Sequence, residues 1–153
     1  CYQWGHCLVA PEGHPILAER SISLAALARW PFITYDPAFA GRSKISGAFE
    51  RAQLEPNIVL SAIDSDVIKT YVSLGLGLGI IASMAYDPGR DTGLKAIDVA
   101  QLFGTNLTRI GLRRGTYLRQ YEYDFIELFA SQLTKRAVEM AMAGTGIDDE
   151  YQL

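Results

Sequence analysis

The sequence predicts an α/β fold built on an open, mostly parallel sheet, and three observations lead to this prediction. Short apolar segments typical of strands alternate with segments whose apolar residues recur at helical spacing. Glycine, proline and capping residues separate the two kinds of segment. The 153 residues are 49% hydrophobic and 20% charged, which is enough apolar material for a packed core. Strands and helices that alternate along a chain are typical of a parallel sheet.

Each element is predicted from local signals. Six strands are predicted, at His6 to Ala10, Phe32 to Tyr35, Asn57 to Ala62, Gly79 to Ser83, Leu94 to Asp98 and Leu107 to Arg113. Four helices are predicted, from Ser21 or Ser23 to Trp30, from Lys44 to Gln53 with Ser43 as the cap, from a cap within Asp64 to Asp66 up to Gly75, and from Tyr117 to Gln132. In the last three helices the expected buried stripes are Ile45, Ala48, Phe49 and Ala52; Val67, Ile68, Tyr71 and Leu74; and Leu118, Tyr121, Phe125 and Leu128. The tail after Gly144 is expected to be frayed.

Three glycines, Gly75, Gly77 and Gly79, form a G-x-G-x-G motif. The motif precedes a predicted strand, whereas a dinucleotide-binding loop needs a helix N-terminus directly behind its glycines. We therefore interpret it as a tight turn from helix to strand, in which glycine permits a positive φ or a close approach of two backbones.

A candidate anion site lies where Ala40, Gly41, Arg42 and Ser43 lead into a predicted helix. Backbone N–H groups, the Ser43 hydroxyl and the Arg42 guanidinium are suited to a small anion. An ordinary capped helix with a solvent-facing arginine is the alternative interpretation. Asp64 opens a second turn after a strand, and ligands of open α/β sheets bind at the carboxyl ends of strands, so both turns are expected to face one crevice. A carboxylate repels an anion, however, which favours a capping role for Asp64.

Other features narrow the classes of function. The net charge of -3 gives no general attraction to DNA or to anionic membranes. Cys1 and Cys7 have neither redox nor zinc-site spacing and are expected to be free thiols, and no apolar run has the length of a membrane helix. The two histidines, His6 and His14, have no metal-ligand spacing, so no metal and no cofactor are expected. No paired acid and base and no marked nucleophile indicate an enzyme.

Several longer strings carry a resemblance to a known family. These are Trp30 to Tyr35, Phe39 to Ser43, Asp66 to Val72, Leu74 to Ala85, Ile110 to Gly115 and Tyr123 to Ile126. They resemble the effector domain of LysR-type transcription regulators, in particular the CysB and Cbl branch, and the similarity extends to about Lys135.

The resemblance implies a periplasmic-binding-protein-like effector domain made of two α/β subdomains joined by two crossover strands. Residues 1–104 would form the second subdomain, residues 105–135 the returning strand and helix of the first, and residues 136–153 a C-terminal tail. The segment from Cys1 to Ala10 reads as an interior stretch, so the chain is expected to be a fragment without the winged helix-turn-helix that binds promoter DNA in this family.

The resemblance also implies a ligand. In this branch N-acetylserine or O-acetylserine acts as inducer, sulfide and thiosulfate oppose it, and sulfate occupies the anion site. The resemblance implies that the complete regulator is a tetramer in the cytoplasm and controls cysteine biosynthesis and sulfur assimilation. The residues carried over to the cleft are Trp4, Phe39, Ala40, Gly41, Arg42 and Ser43. Asp64 is added as a ligand-binding candidate because its turn is expected to face the same crevice. The family commonly has threonine at position 40, and the missing hydroxyl of Ala40 removes a hydrogen bond to an anion worth roughly 1.5–3 kcal/mol.

Two alternatives remain at this point. A periplasmic-type solute-binding protein for a small anion or an amino-acid derivative shares the two-lobed α/β architecture. A small α/β enzyme acting on acylated amino acids is the other, without a recognisable catalytic group to support it.

Overall fold

The computed structural model describes residues 1–113 and 115–144, apart from the side chain of Ala40. The chain divides into two compact units. One unit is Trp4–Asn106, and the other combines Cys1–Gln3 with the residues from Leu107 onward. In the described part of the chain, no helix is both long enough and apolar enough to cross a lipid bilayer.

Strands and helices alternate through most of the chain. The strands are β1 Tyr2–Trp4, β2 His6–Pro11, β3 Phe32–Tyr35, β4 Ile58–Ala62, β5 Leu78–Ala82, β6 Leu94–Asp98 and β7 Asn106–Thr108. The helices are α1 Leu24–Ala28, α2 Ala40–Arg51, α3 Ser65–Ser73, α4 Ala100–Phe103, α5 Gln120–Phe129 and α6 Lys135–Met142.

The unit Trp4–Asn106 contains a five-stranded sheet in the order β4-β3-β5-β2-β6. Strand β3 pairs in parallel with β4 and with β5. Strand β2 pairs antiparallel with both β5 and β6. Four strands thus point one way and β2 alone is reversed, so the predicted α/β class with a mostly parallel sheet is confirmed.

Both faces of this sheet are buried, because successive side chains of a strand point to opposite faces. On β2, Leu8 and Ala10 join a core under α1, α2 and α4, and the intervening Cys7 and Val9 join a second core under α3. Strand β5 is buried from Leu78 to Ile81, as its continuous apolar run predicts. Helices on both faces of the sheet give the three-layer architecture of the α/β class.

The G-x-G-x-G motif is the predicted helix-to-strand turn. Gly75 follows the last turn of α3 with a φ of 81°, a conformation that glycine adopts without steric cost. A Cβ atom on Gly77 would lie 2.4 Å from the carbonyl oxygen of Pro31. A Cβ atom on Gly79 would lie 2.9 Å from Val72, so the absence of a side chain lets α3 pack directly on β5.

Some predictions for α2 and α3 are corrected. Helix α2 begins at Ala40, not at Lys44, so Ser43 lies inside the helix and is not its N-cap. Of the predicted α2 stripe, Ala52 is exposed and the other three residues are buried. In α3 the buried residues are Ile68 and Val72; Val67 and Tyr71 are partly exposed, and Leu74 is 69% exposed. The apolar residues of α3 lie around more than one face, and only the face toward Gly79 meets the sheet.

The unit that includes α5 and α6 departs further from prediction. Strand β7 ends at Thr108, not Arg113, and pairs with the short β1 in a two-stranded sheet. Helix α5 turns Tyr123 and Ile126 inward, together with Leu118 and with Val138 of α6. The other members of the predicted stripe are exposed, namely Tyr121 (63%), Phe125 (65%) and Leu128 (87%). Helix α6 was not predicted, and the frayed tail expected after Gly144 lies outside the described residues.

Candidate functional site

The two turns proposed to form a site lie at one edge of the sheet. Strands β3 and β4 are parallel neighbours, with Tyr35 paired to Ala62 at their carboxyl ends. The backbone N–H of Asp36 donates to the carbonyl of Ala62 at 2.9 Å, which ties the two exits together. Helices α2 and α3 begin just beyond these ends, on opposite faces of the sheet. The turns at residues 39–43 and 63–66 therefore lie at the same end of the sheet, as predicted; a crevice shared by both turns stays a prediction.

Trp4 and Gly41 meet at this same edge. Because β2 is reversed, its first residue lies at the carboxyl end of β5, where His6 pairs with Ala82. A Cβ atom placed on Gly41 would lie 3.5 Å from Cη2 of Trp4 and 3.3 Å from Nε2 of His6. The first turn of α2 thus rests on the two rings, and a larger residue at position 41 would push against both.

The start of α2 leaves backbone donors directed toward the edge. Phe39 is the N-cap residue and its side chain makes no capping hydrogen bond. The first N–H groups of a helix have no acceptor within the helix, which makes such a terminus suitable for an anion. Ser43 is exposed in the first turn of the helix. The Phe39 ring is partly exposed and lies 6.2 Å from the ring of Tyr35, measured between centroids.

Arg42 links α2 to both parallel strands. One guanidinium NH group donates to the carbonyl of Tyr35 at 2.9 Å and to the Ser61 hydroxyl at 3.4 Å, and Nε donates to Ser46 at 3.2 Å. Partial burial lowers the pKa of Arg42, and the nearby Asp36 carboxylate acts in the opposite direction. Two of the three guanidinium nitrogens are thereby engaged within the protein, so Arg42 is not the solvent-facing arginine of the alternative interpretation.

Asp64 is the N-cap of α3. Its carboxylate accepts a hydrogen bond from the backbone N–H of Val67 at 2.8 Å. Tyr35 stabilises the same edge, since its hydroxyl accepts the backbone N–H of Ala82 at 3.2 Å. Burial is the main reason that the pKa of Tyr35 is raised. Of the proposed site residues, Asp64 thus has a defined structural role as the cap.

Sequence reasoning missed His6 and Lys44 as members of this edge. His6 was not among the predicted site residues, yet it is fully buried and contacts Trp4 edge-on, with ring centroids 5.5 Å apart. Lys44 is half-buried on α2, and its ammonium donates to the carbonyl of Thr105. A histidine at the first position of an otherwise apolar strand was the available signal.

A second polar cluster lies on the α3 side of the sheet. The Lys69 ammonium donates to the carbonyl of Ala85 at 2.9 Å and forms ion pairs with Asp91 at 2.9 Å and Asp66 at 3.0 Å. These contacts attach the segment between β5 and β6 to α3. Within residues 1–113 and 115–144, no group of three or more His, Cys, Asp or Glu side chains is arranged to hold a metal ion.

Comparison with known proteins identifies the family to which this chain is similar. The family described as LysR substrate binding domain matches residues 1–134. The chain is 50% identical over its full length to the HTH-type transcriptional regulator CysB of Burkholderia cenocepacia, covering 48% of that protein. It is 51% identical over 138 residues to the regulator SsuR of the same organism, covering 90% of this chain and 45% of SsuR. The chain thus spans about half the length of these curated relatives.

Solved structures agree with the sequence comparison. The cofactor-binding domain of the Cbl transcriptional regulator is 40% identical, with a TM-score of 0.85 over 92% of this chain and 62% of that one. The regulatory domain of CcmR from Synechocystis, solved with 2-PG, is 17% identical with a TM-score of 0.66 over 87% of this chain and 64% of that one, and shows the shared fold alone. The chain belongs to the LysR substrate-binding domain family, in the branch that contains CysB and Cbl.

Proposed function

We propose that this chain is the effector-sensing part of a DNA-binding regulator of cysteine biosynthesis and sulfur assimilation. Its effector would be N-acetylserine, O-acetylserine or a sulfate-like anion such as thiosulfate, bound at the sheet edge. The observation that carries the proposal is the first turn of α2, which stands against Trp4 at the carboxyl ends of the parallel strands. The relatives are transcription regulators, which favours regulation over solute transport or catalysis.

The site residues have distinct proposed roles. Backbone N–H groups at Ala40 and Gly41 would receive the anionic part of the effector, as helix N-termini do. The Trp4 ring would cover its apolar part, and the exposed side chains of Phe39 and Ser43 would border it. Arg42 would chiefly fix the start of α2 on the strands, given its three hydrogen bonds to the protein. Asp64 would act as a cap without touching the anion.

We propose that the domain organisation follows that of the family. We infer that residues 1–104 form the second effector subdomain, residues 105–135 the returning strand and helix of the first, and residues 136–153 the C-terminal segment that contains α6. In the complete regulator a preceding winged helix-turn-helix would bind promoter DNA, and four chains would assemble in the cytoplasm. Effector binding would then shift the equilibrium between two conformations of the assembly on DNA.

The test uses a chimera in which this chain replaces the matching part of Burkholderia cenocepacia CysB. Calorimetry with N-acetylserine, O-acetylserine, sulfate and thiosulfate should give saturable binding of at least one of them. Replacing Trp4 by Ala should weaken that binding about 10-fold or more, because stacked aromatic contact area is lost. The matched control is Trp30→Phe, at the other tryptophan of the chain. Absence of heat with all four compounds would refute the proposal.

Position 40 offers an independent check. Ala40→Thr restores the hydroxyl common in the family, and a hydrogen bond to a charged group contributes about 1.5–3 kcal/mol. Sulfate affinity of the chimera should therefore rise roughly 10-fold or more. Unchanged sulfate affinity would contradict the role assigned to this position.

A further inference from the structure

His6 is a buried polar residue at the proposed site. Its side chain is fully buried at the first position of β2, on the face that Leu8 and Ala10 continue as core. The ring contacts Trp4 on one side and Phe103 on another, with centroids 5.5 and 5.6 Å away. Its Nε2 atom points to the first turn of α2, 3.3 Å from where a Cβ atom of Gly41 would stand.

The hydrogen bonding of the two ring nitrogens is the second observation. Within the described residues, neither Nδ1 nor Nε2 of His6 makes a hydrogen bond of standard geometry. Burial lowers the pKa of His6 to about 4, and the Lys44 ammonium contributes in the same direction, whereas the backbone of Gly41 opposes both. The ring is therefore neutral near pH 7, with one N–H donor and one acceptor nitrogen. The ring interacts with the Gly41 backbone, but this contact does not have the geometry of a hydrogen bond.

This arrangement is costly if the ring only fills space. An unsatisfied buried polar group costs about 1–3 kcal/mol, and an apolar side chain of similar shape avoids that cost. The next residues of β2 that face this core are apolar. A small displacement of Gly41 would bring its carbonyl into hydrogen-bond geometry with Nε2 of His6. Gly41 belongs to the turn proposed to receive the effector.

We propose that His6 is a positioning residue for the effector site, which supports Gly41 and Trp4 and donates a hydrogen bond from its Nε2–H to the Gly41 carbonyl when effector is bound, while the Gly41 N–H faces the effector. The inference rests on the proposed function, because it assigns His6 a role in that same site. It predicts that the nitrogen at the Nε2 position matters for affinity and that the shape of the ring alone does not suffice.

The experiment compares three replacements in the chimera described above. His6→Phe keeps a ring without nitrogen, His6→Gln places an amide nitrogen near the Nε2 position, and His6→Asn places one near the Nδ1 position. Calorimetry with N-acetylserine and with sulfate should show about 10-fold weaker binding for His6→Phe and His6→Asn, the effect of one lost hydrogen bond. His6→Gln should recover most of the affinity. Thermal unfolding should show His6→Phe to be at least as stable as the unaltered protein, which separates positioning from folding.

A spectroscopic measurement on the same chimera tests the contact directly. With 15N-labelled histidine, saturating effector should shift the resonances of the ring nitrogens of His6. The resonances of His14, which lies beyond the end of β2, should not move. Equal affinity in all three variants, or an unmoved His6 signal on saturation, would overturn the role of His6 and leave the proposed function standing. Absence of binding to the unaltered chimera would instead refute the proposed function and this role with it.

Discussion

Gly77→Ala tests whether the glycine motif is a requirement of packing. The added Cβ atom would lie 2.4 Å from the carbonyl oxygen of Pro31 and 2.8 Å from its carbonyl carbon. These are backbone atoms, so the strain cannot be relieved by rotating a side chain. The same carbonyl accepts the backbone N–H of Leu78 at 2.9 Å, at the start of β5.

The expected loss of stability comes from the steric overlap with Pro31 and from the weakened hydrogen bond of Leu78. Overpacking typically costs about 1–3 kcal/mol, and a weakened backbone hydrogen bond adds about 0.5–1.5 kcal/mol. Gly77→Ala should therefore lower the free energy of unfolding by roughly 2–4 kcal/mol. Urea titration followed by tryptophan fluorescence measures it, since both tryptophans, Trp4 and Trp30, lie in the unit that contains the sheet.

A matched control separates the clash from the general effect of replacing glycine. Gly111 has open space where its Cβ atom would stand, so Gly111→Ala should change the free energy of unfolding by less than about 0.5 kcal/mol. Gly111 lies outside the unit that contains both tryptophans, so this control is followed by far-UV circular dichroism, and Gly77→Ala is measured in the same way beside it. If Gly77→Ala unfolds at the same urea concentration as the unaltered chain, the packing argument for the motif is wrong.

Three further predictions concern charge and reactivity. Lys69→Met leaves the largely buried carboxylate of Asp91 without its ammonium partner and should lower the free energy of unfolding by about 1–3 kcal/mol in urea titrations. Burial raises the pKa of Cys7 to about 11, so at pH 8 a thiol reagent should label Cys1, and Cys7 only after unfolding, as peptide mass spectrometry would show. Folding lowers the pKa of His6 from its ordinary value of 6.5 to about 4, so the unfolded chain takes up a proton first as pH falls. Stability should thus decrease from pH 6.5 to pH 4, and less steeply in His6→Phe; equal slopes would contradict this.

Local sequence signals predicted the structure correctly where a residue type strongly favours one conformation. Asp64 caps α3 as its type predicts, and Gly75 ends that helix with a positive φ. The start of α2 could not be found in this way. Ser43 is a favoured capping residue by type, but the helix begins at Ala40, four residues before the predicted start. Its N-cap is Phe39, whose N–H donates to the carbonyl of Asp36. A turn at Asp36 precedes this helix, and the Asp36 carboxylate accepts the backbone N–H of Ala38 at 3.0 Å, but the N-cap position itself carries no favoured capping residue.

The sequence also could not specify which face of a helix is buried. Helix α5 has two overlapping apolar faces, one with Tyr121 and Phe125 and the other with Tyr123 and Ile126. Periodicity fits both, and the contact with Val138 of α6 selects the second. The location of the site at one edge of the sheet could be predicted, because parallel strands align their carboxyl ends. The role of His6 could not be predicted, because it depends on β2 running antiparallel to its neighbours.

The exposed face of α5 has a practical consequence for handling the isolated chain. Tyr121, Phe125 and Phe129 line an open groove of about 660 Å³ together with Leu112. Contiguous exposed apolar surface promotes self-association as concentration rises. Light scattering of the purified chain should show particle size growing with concentration, and Phe125→Glu should suppress the growth while leaving the fluorescence of the two tryptophans unchanged.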